Sequence, residues 1–461
     1  NRCCRAKLGA SLPTATRPWG NFVQAEPSQT RRAIVAGAIG NIMEWYDFAV
    51  YGFFAAILGR QFFPAEDPLS SLLAAFGVFA AGYLMRPFGS IVFGHIGDRV
   101  GRKAALTLSV AAMAIPTFLI GVLPTHAQIG ATASALLVVL RLIQGLSVGG
   151  ECATSTIFLV EQASIGRRGF LGSWAMFGAI AGILLGSAVG ALVLALFGAA
   201  TAEAWAWRLP FLFGVVLGIA GLYLRRTLAV DTIAPTDRPT RLPVVEAFST
   251  EWRTIIRVFG LNIVQAVGFY LCFVYVTTYL RQVDFISTSK ALDINSLSML
   301  VLLLMMPVAG LLADRVGRKP VLLVAVTGIL VLSYPLFWLM HHPATAMIML
   351  GQFGFSIILG LYLGTLPAVV VEIFPRRVRC SAMSISYNAA IGLFGGTAPM
   401  VAVYLIERSH NDLSPAFYLM AMAAVSLTAV LSIEETAWSP MPSDAADRRA
   451  QALARQTRLP T

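Results

Sequence analysis

Apolar runs of about 20 residues, the length that crosses a bilayer as a helix, recur from Ala33 to Ile433 and are separated by short polar connectors. Twelve such runs are read at 33–58, 71–93, 104–123, 131–160, 170–197, 207–224, 255–280, 296–313, 320–340, 345–371, 380–406 and 414–433. The pattern predicts an all-α membrane protein. Its expected divisions are an N-terminal tail over 1–32, a six-helix bundle over 33–224, a polar linker over 225–254, a second six-helix bundle over 255–433 and a C-terminal tail over 434–461.

Lys and Arg set the orientation, because they are retained on the cytoplasmic side in short loops. Of the 34, 27 lie in the two tails and in alternate loops (94–103, 161–169, 225–257, 314–319, 372–379), whereas Arg60, Arg208, Arg281, Lys290 and Arg408 lie on the other side. Both termini are therefore expected in the cytoplasm, with the chain in a bacterial inner membrane. The net charge of +11 is topological, which removes the nucleic-acid reading.

Composition sharpens the class. With 57% hydrophobic and 12% charged residues, against about 25% charged in soluble domains, water is not the main solvent. The five cysteines, Cys3, Cys4, Cys152, Cys272 and Cys380, form no C-x-x-C pair, and no His cluster has metal-ligand spacing, so neither a disulfide, a metal nor another cofactor is expected. No apolar segment precedes the first span, so a cleaved signal peptide is not expected. No phosphate-cradling or acidic catalytic motif points to a membrane enzyme.

The chain repeats itself. Gly94-His-Ile-Gly-Asp98-Arg99-Val-Gly101-Arg102-Lys103 returns as Gly310-Leu-Leu-Ala-Asp314-Arg315-Val-Gly317-Arg318-Lys319, and Glu161 with Arg168 returns as Glu372 with Arg379. Duplicated halves of this kind are typical of transporters that rock two bundles about a midplane site. The loop decade and Arg141-Leu-Ile-Gln144-Gly145 resemble signatures of the major facilitator superfamily. Gly40-Asn41-Ile-Met-Glu44-Trp45-Tyr46-Asp47-Phe48, Arg86-Pro87-Phe-Gly89, Gly149-Gly150-Glu151, and Tyr387-Asn388 followed by Phe394-Gly-Gly-Thr-Ala-Pro399 resemble, more narrowly, its metabolite:proton symporters. The resemblance implies proton-coupled uptake of a small polar metabolite, mainly organic acids such as citrate, 2-oxoglutarate or shikimate, with proline and betaine as a second group. Two departures stand out: Cys152 where the family usually has Trp, and Arg225-Arg-Thr-Leu-Ala-Val-Asp-Thr where an acidic Glu-Ser/Thr-Pro ending is usual.

Charges inside spans need a partner or a wet cavity, since each costs about 2.5–3.5 kcal/mol at the membrane centre. Asn41, Glu44, Asp47 and Tyr51 fall on one stripe of the first helix. A carboxylate there that gains and loses an Arg partner can take up and release a proton, so Glu44, Asp47, Arg141 and Glu151 are the proton-coupling candidates; a permanent helix-to-helix ion pair is the plainer alternative. Arg86, whose planar fork suits a carboxylate, is the candidate anchor for the substrate, or a structural partner of Glu44 or Asp47. Tyr51, Gln265, Tyr270, Tyr387 and Asn388 are candidate hydrogen-bonding groups around the substrate. Arg141 and Glu151 lie about 15 Å apart along one helix and cannot pair with each other.

The repeated loop reads as a latch: Gly94 and Gly101 permit a tight turn, Asp98 can cap a neighbouring helix N-terminus, and Arg99, Arg102 and Lys103 hold the loop at the surface. Asp314, Arg315 and Arg318 are its copy. Glu161 with Arg168, and Glu372 with Arg379, are expected to form gate ion pairs. The ladder Gly178, Gly182, Gly186 and Gly190 predicts close packing against another helix. The sequence thus predicts a monomeric twelve-span proton symporter of a small carboxylate. Proline or betaine uptake is the alternative, set lower because Glu434 to Thr461 shows no sustained heptad pattern, and a non-transporting membrane sensor is the second.

Overall fold

The computed structural model describes residues 27–65, 68–226, 242–282 and 286–442. Most of the N-terminal tail, positions 227–241 of the linker and positions 443–461 of the C-terminal tail lie outside the described residues. The helices of the first half are α1 (Pro27–Phe53), α2 (Ala55–Phe62), α3 (Pro68–Leu84), α4 (Arg86–Arg99), α5 (Arg102–Val122), α6 (His126–Ile129), α7 (Ala131–Glu161), α8 (Arg168–Thr201) and α9 (Arg208–Arg226). The second half holds α10 (Pro243–Phe269), α11 (Val276–Gln282), α12 (Thr288–Val316), α13 (Arg318–Met340), α14 (Thr345–Ile373), α15 (Arg379–Ala390), α16 (Ala398–Ser409) and α17 (Ser414–Ser432). Among the described residues, ten helical segments are long and apolar enough to cross a membrane.

Several predicted spans are built from two helices. α1 passes into α2 at Phe54, α3 into α4 at Met85, with Pro87 in the first turn of α4. Single π-helical turns at Tyr270–Tyr275 and Ile391–Gly395 interrupt the spans that contain α10 and α15. Such turns widen a helix locally and often mark functional sites. α10 begins at Pro243, inside the stretch read as linker. Its early turns carry charge that the pattern treats as loop, yet Glu246 is paired with Arg377 at 2.8 Å and Glu251 accepts from Thr254 at 2.9 Å.

Within the first half, the glycine ladder of α8 lies directly on α1. A Cβ at Gly182 would collide with the Ile42 carbonyl oxygen, and at Gly178 it would stand 2.7 Å from the Ala38 carbonyl oxygen. The ladder is thus internal packing of one half. The halves meet along α8 against α12 and α14, and along α4 and α7 against α15. One apolar core runs across that seam, with Ile157, Val160 and Ile180 of the first half packed among Leu302, Leu363 and Val371 of the second. Gly101 and Gly317 start α5 and α13 at φ 130° and 112°, where a Cβ would be strained.

Candidate transport site

The stripe predicted on α1 faces inward and is buried: Asn41, Glu44, Asp47 and Tyr51 are each no more than 1% exposed. Its carboxylates have different surroundings. Asp47 accepts from Arg141 Nη1 (2.6 Å), Thr117 Oγ1 (2.9 Å) and Gln144 Nε2 (2.9 Å), and Arg141 Nη1 also donates to Gln144 Oε1 (2.8 Å). The Arg141 guanidinium lies 4.2 Å from the Tyr51 ring centroid, a cation–π contact. Tyr51 itself donates to the Ala75 carbonyl at 2.9 Å. Tyr51 is therefore a wall of the Asp47–Arg141 unit and does not line the cavity beside Trp45 and Tyr270.

Glu44 is different. Its nearest cation is Arg86, at 3.8 Å from Nη2 to Oε1, and among the described residues neither Glu44 oxygen nor either terminal nitrogen of Arg86 has a hydrogen-bond partner. Both side chains are at least 97% buried. Arg86 is held instead by its Nε, which donates to Asn388 Oδ1 at 3.1 Å, and by the Tyr83 ring, whose centroid is 5.1 Å from Cζ. A buried charge pair with all four reacting atoms uncommitted is poor for stability and well suited to exchanging partners.

A cavity of about 40 Å³ adjoins this pair, lined by Trp45, Gln265, Phe269, Tyr270 and Tyr387 among apolar side chains of α8, α12 and α14. Tyr270 Oη lies 3.3 Å from Tyr83 Oη, so one ring separates the cavity from the Arg86 guanidinium. The space is enough for water. Its lining has no charged residue. The structure brings Gln265, Tyr270 and Tyr387 together in this lining, whereas Asn388 turns its amide to Ser90 Oγ, Gly149 O and Ser384 O at 2.7–2.9 Å and does not line the cavity. Cys152 is buried beside Tyr387 of the cavity lining, so the departure from the family pattern sits at the site. Glu151 is buried between α5 and α7 and accepts from Ser109.

Trp45, Tyr83, Phe269, Thr117 and Gln144 complete the site without having been singled out. Trp45 and Gln144 lie inside the motifs already quoted, Tyr83 and Phe269 only in apolar runs. Tyr83 and Gln144 carried a signal, three residues from Arg86 and Arg141 on the same helix faces; Thr117 and Phe269, on α5 and α10, carried none.

One end of the molecule is closed by charges. Asp98 accepts from the backbone N–H groups of Cys380 (3.0 Å) and Ser381 (2.9 Å), at the start of α15. Its copy Asp314 accepts from Gly169 (2.9 Å) and Phe170 (2.8 Å), at the start of α8. Each repeat loop therefore caps a helix of the opposite half. Arg102 and Arg318 brace the aspartates through Gly97 O and Ala313 O, Gly94 packs on Ser381, Lys103 is half-buried, and Arg99 and Arg315 are exposed.

The gate ion pairs are crossed relative to expectation. Glu161 pairs with Arg379 (2.5 Å) and Arg102 (3.4 Å), and Glu372 with Arg318 (3.2 Å) and Arg168 (3.6 Å). Glu161 does not pair with Arg168, nor Glu372 with Arg379, because the pseudo-symmetry brings the end of each fourth span against the start of the opposite half's fifth. Hydrogen bonds between the halves run from this end to the Arg86–Asn388 level.

Two helical halves with repeated motifs, one carrying a buried Glu44–Arg86 pair close to the seam and both joined at one end by reciprocal caps, are the architecture of a membrane transporter. The chain belongs to the major facilitator superfamily: the model described as Sugar (and other) transporter matches residues 33–232, and that described as Major Facilitator Superfamily matches residues 282–457. It is 36% identical to the proline/betaine transporter of Escherichia coli (strain K12), over 90% of this chain and 86% of that protein. It is 37% identical to the glycine betaine/proline/ectoine/pipecolic acid transporter OusA of Dickeya dadantii, over 90% and 85%. The proton:xylose symporter XylE bound to 6-bromo-6-deoxy-D-glucose shares its fold, with a TM-score of 0.76 over 90% of this chain and 98% of that one at 19% identity.

Proposed function

We propose that this chain imports a small zwitterionic osmolyte of the proline and betaine type together with protons, by alternating access. It would do so as a monomer of twelve spans, the ten apolar segments plus those built on α1–α2 and α9. The charged end would face the cytoplasm of a bacterium, with both termini on that side of the inner membrane. The observation that carries the reading is the uncommitted Glu44–Arg86 pair beside an uncharged, aromatic-lined cavity. Arg86 suits a carboxylate, and the rings of Trp45, Phe269, Tyr270 and Tyr387 suit an ammonium group, quaternary ones above all. When the substrate carboxylate takes Arg86, Glu44 loses its cation and takes up a proton, which ties the two fluxes.

The organic-acid reading, the first expectation from sequence, yields to this one. A second or third carboxylate would meet aromatic faces with no further cation in the lining, and the relatives quoted above are named for zwitterions. The test is uptake into proteoliposomes under an imposed outside-acid gradient, with glycine betaine, proline, citrate and 2-oxoglutarate compared. Gradient-dependent accumulation of betaine or proline is expected. Accumulation of citrate or 2-oxoglutarate alone would return the assignment to organic acids, and betaine binding without counterflow would make the protein a sensor.

A further inference from the structure

One residue of the site makes contacts unlike those of the cavity lining. Asn388, on α15 of the second half, is 4% exposed and reaches three structures of the first half at once. Its Oδ1 accepts from Arg86 Nε (3.1 Å), and its Nδ2 lies within hydrogen-bond distance of Ser90 Oγ on α4 (2.7 Å) and of the Gly149 carbonyl on α7 (2.9 Å), besides Ser384 O on its own helix (2.8 Å). Ser90 Oγ in turn donates to Gly149 O at 3.1 Å. The same helix begins at Cys380 and Ser381, the two residues capped by Asp98 at the charged end. One rigid element of three turns thus links the closed end to the guanidinium.

We infer that Asn388 is a positioning residue that ties substrate affinity at Arg86 to closure of the charged end. This rests on the reading of Arg86 as the carboxylate anchor. While the charged end is closed, Asn388 holds Arg86 by Nε, which leaves both terminal nitrogens turned away from it and available. When α15 parts from α4 and α7, that hold is withdrawn, Arg86 is free to return to Glu44, and the grip on the carboxylate loosens on the side where substrate is released. Linkage is reciprocal: if closure raises substrate affinity, bound substrate must favour closure.

Cys380 supplies a native probe, because its thiol is buried at the closed seam against Gly97. The purified full chain in nanodiscs is alkylated with N-ethylmaleimide, the rate is read for the Cys380 peptide by mass spectrometry, and glycine betaine affinity is read by calorimetry. In the wild type, saturating betaine is expected to slow Cys380 alkylation several-fold. In Asn388→Ala, affinity falls about tenfold, the loss of a hydrogen bond to a charged group, basal alkylation accelerates, and betaine no longer protects. Ser90→Ala removes a single contact of the clamp and gives a partial form of the same result, which keeps the test available if Asn388→Ala does not fold. If Asn388→Ala, or Ser90→Ala in its place, weakens binding while betaine still protects Cys380 fully, Asn388 only binds or packs and the inference is overturned; unchanged protection and affinity overturn it equally. If the wild type binds no betaine, the zwitterion reading fails by itself. The Asn388 clamp is then judged on basal rates, where equal alkylation of wild type and variant sinks it.

Discussion

Arg86 and Glu44 face each other at 3.8 Å with their terminal atoms unbonded, and the proposed transport cycle uses those open bonds. Arg86→Ala is expected to abolish betaine uptake, and Arg86→Lys is expected not to restore it, because a lone ammonium cannot hold Asn388 and a carboxylate with the fork of a guanidinium. Glu44→Gln is expected to retain betaine counterflow and lose accumulation driven by a pH gradient, a split read by running both assays on one preparation. Asp47 is built the other way, with three donors on its two oxygens. Asp47→Asn leaves Arg141 buried without its counter-ion, and breaking a buried pair costs about 3–5 kcal/mol, so a marked fall in melting temperature should accompany any loss of transport. Phe269→Ala is expected to weaken betaine binding by roughly 3- to 30-fold, and proline binding less, since the methylated ammonium depends more on ring faces; competition between the two substrates measures it.

The helices decide what these side chains can reach. A π turn begins at Tyr270 itself, whereas Asn388 stays within the regular α-helix of α15 and the second π turn begins only at Ile391. α1 is fixed by the glycines of α8, so Gly182→Leu is expected to prevent folding and Gly182→Ala to lower the melting temperature by several degrees, with the Ile42 carbonyl in the way. At the helix starts, Asp98→Asn removes the charge that faces two N–H groups of α15. Charge at a helix N-terminus contributes about 0.3–2 kcal/mol, so the variant is expected to transport more slowly with unchanged preference among betaine, proline and citrate. A changed preference would separate the loop from any latch role.

Across the whole molecule, two crossed clusters, Glu161 with Arg102 and Arg379, and Glu372 with Arg318 and Arg168, hold the halves together at one end. They are not equal: Glu372 also accepts from Thr436, in the segment after α17, whose Ser439 carbonyl accepts from Arg168 at 2.8 Å. A double-mutant cycle of Glu161→Gln with Arg379→Gln should give a coupling of about 0.5–3 kcal/mol in thermal stability. The same cycle on Glu161 and Arg168 should give none beyond additivity, because those residues are not paired.

The sequence by itself determined the membrane class, the division into two repeats and the identity of the buried charges, because hydropathy, loop charge and a repeated decade are local patterns that survive without coordinates. It also offered Glu44 or Asp47 as a partner of Arg86, since charges inside spans must find partners, and left the partner of Arg141 open. Only the tertiary structure decided the pairing. Asp47 with Arg141 and Glu44 with Arg86 follow from the facing of α1, α4 and α7, and the crossed gate pairs follow from a symmetry axis that no single segment carries. The aromatic lining was legible only in part: Tyr270 and Tyr387 stood out as polar groups within spans, whereas Trp45 and Phe269 look like any other apolar positions until helices from the two halves bring their rings to one cavity.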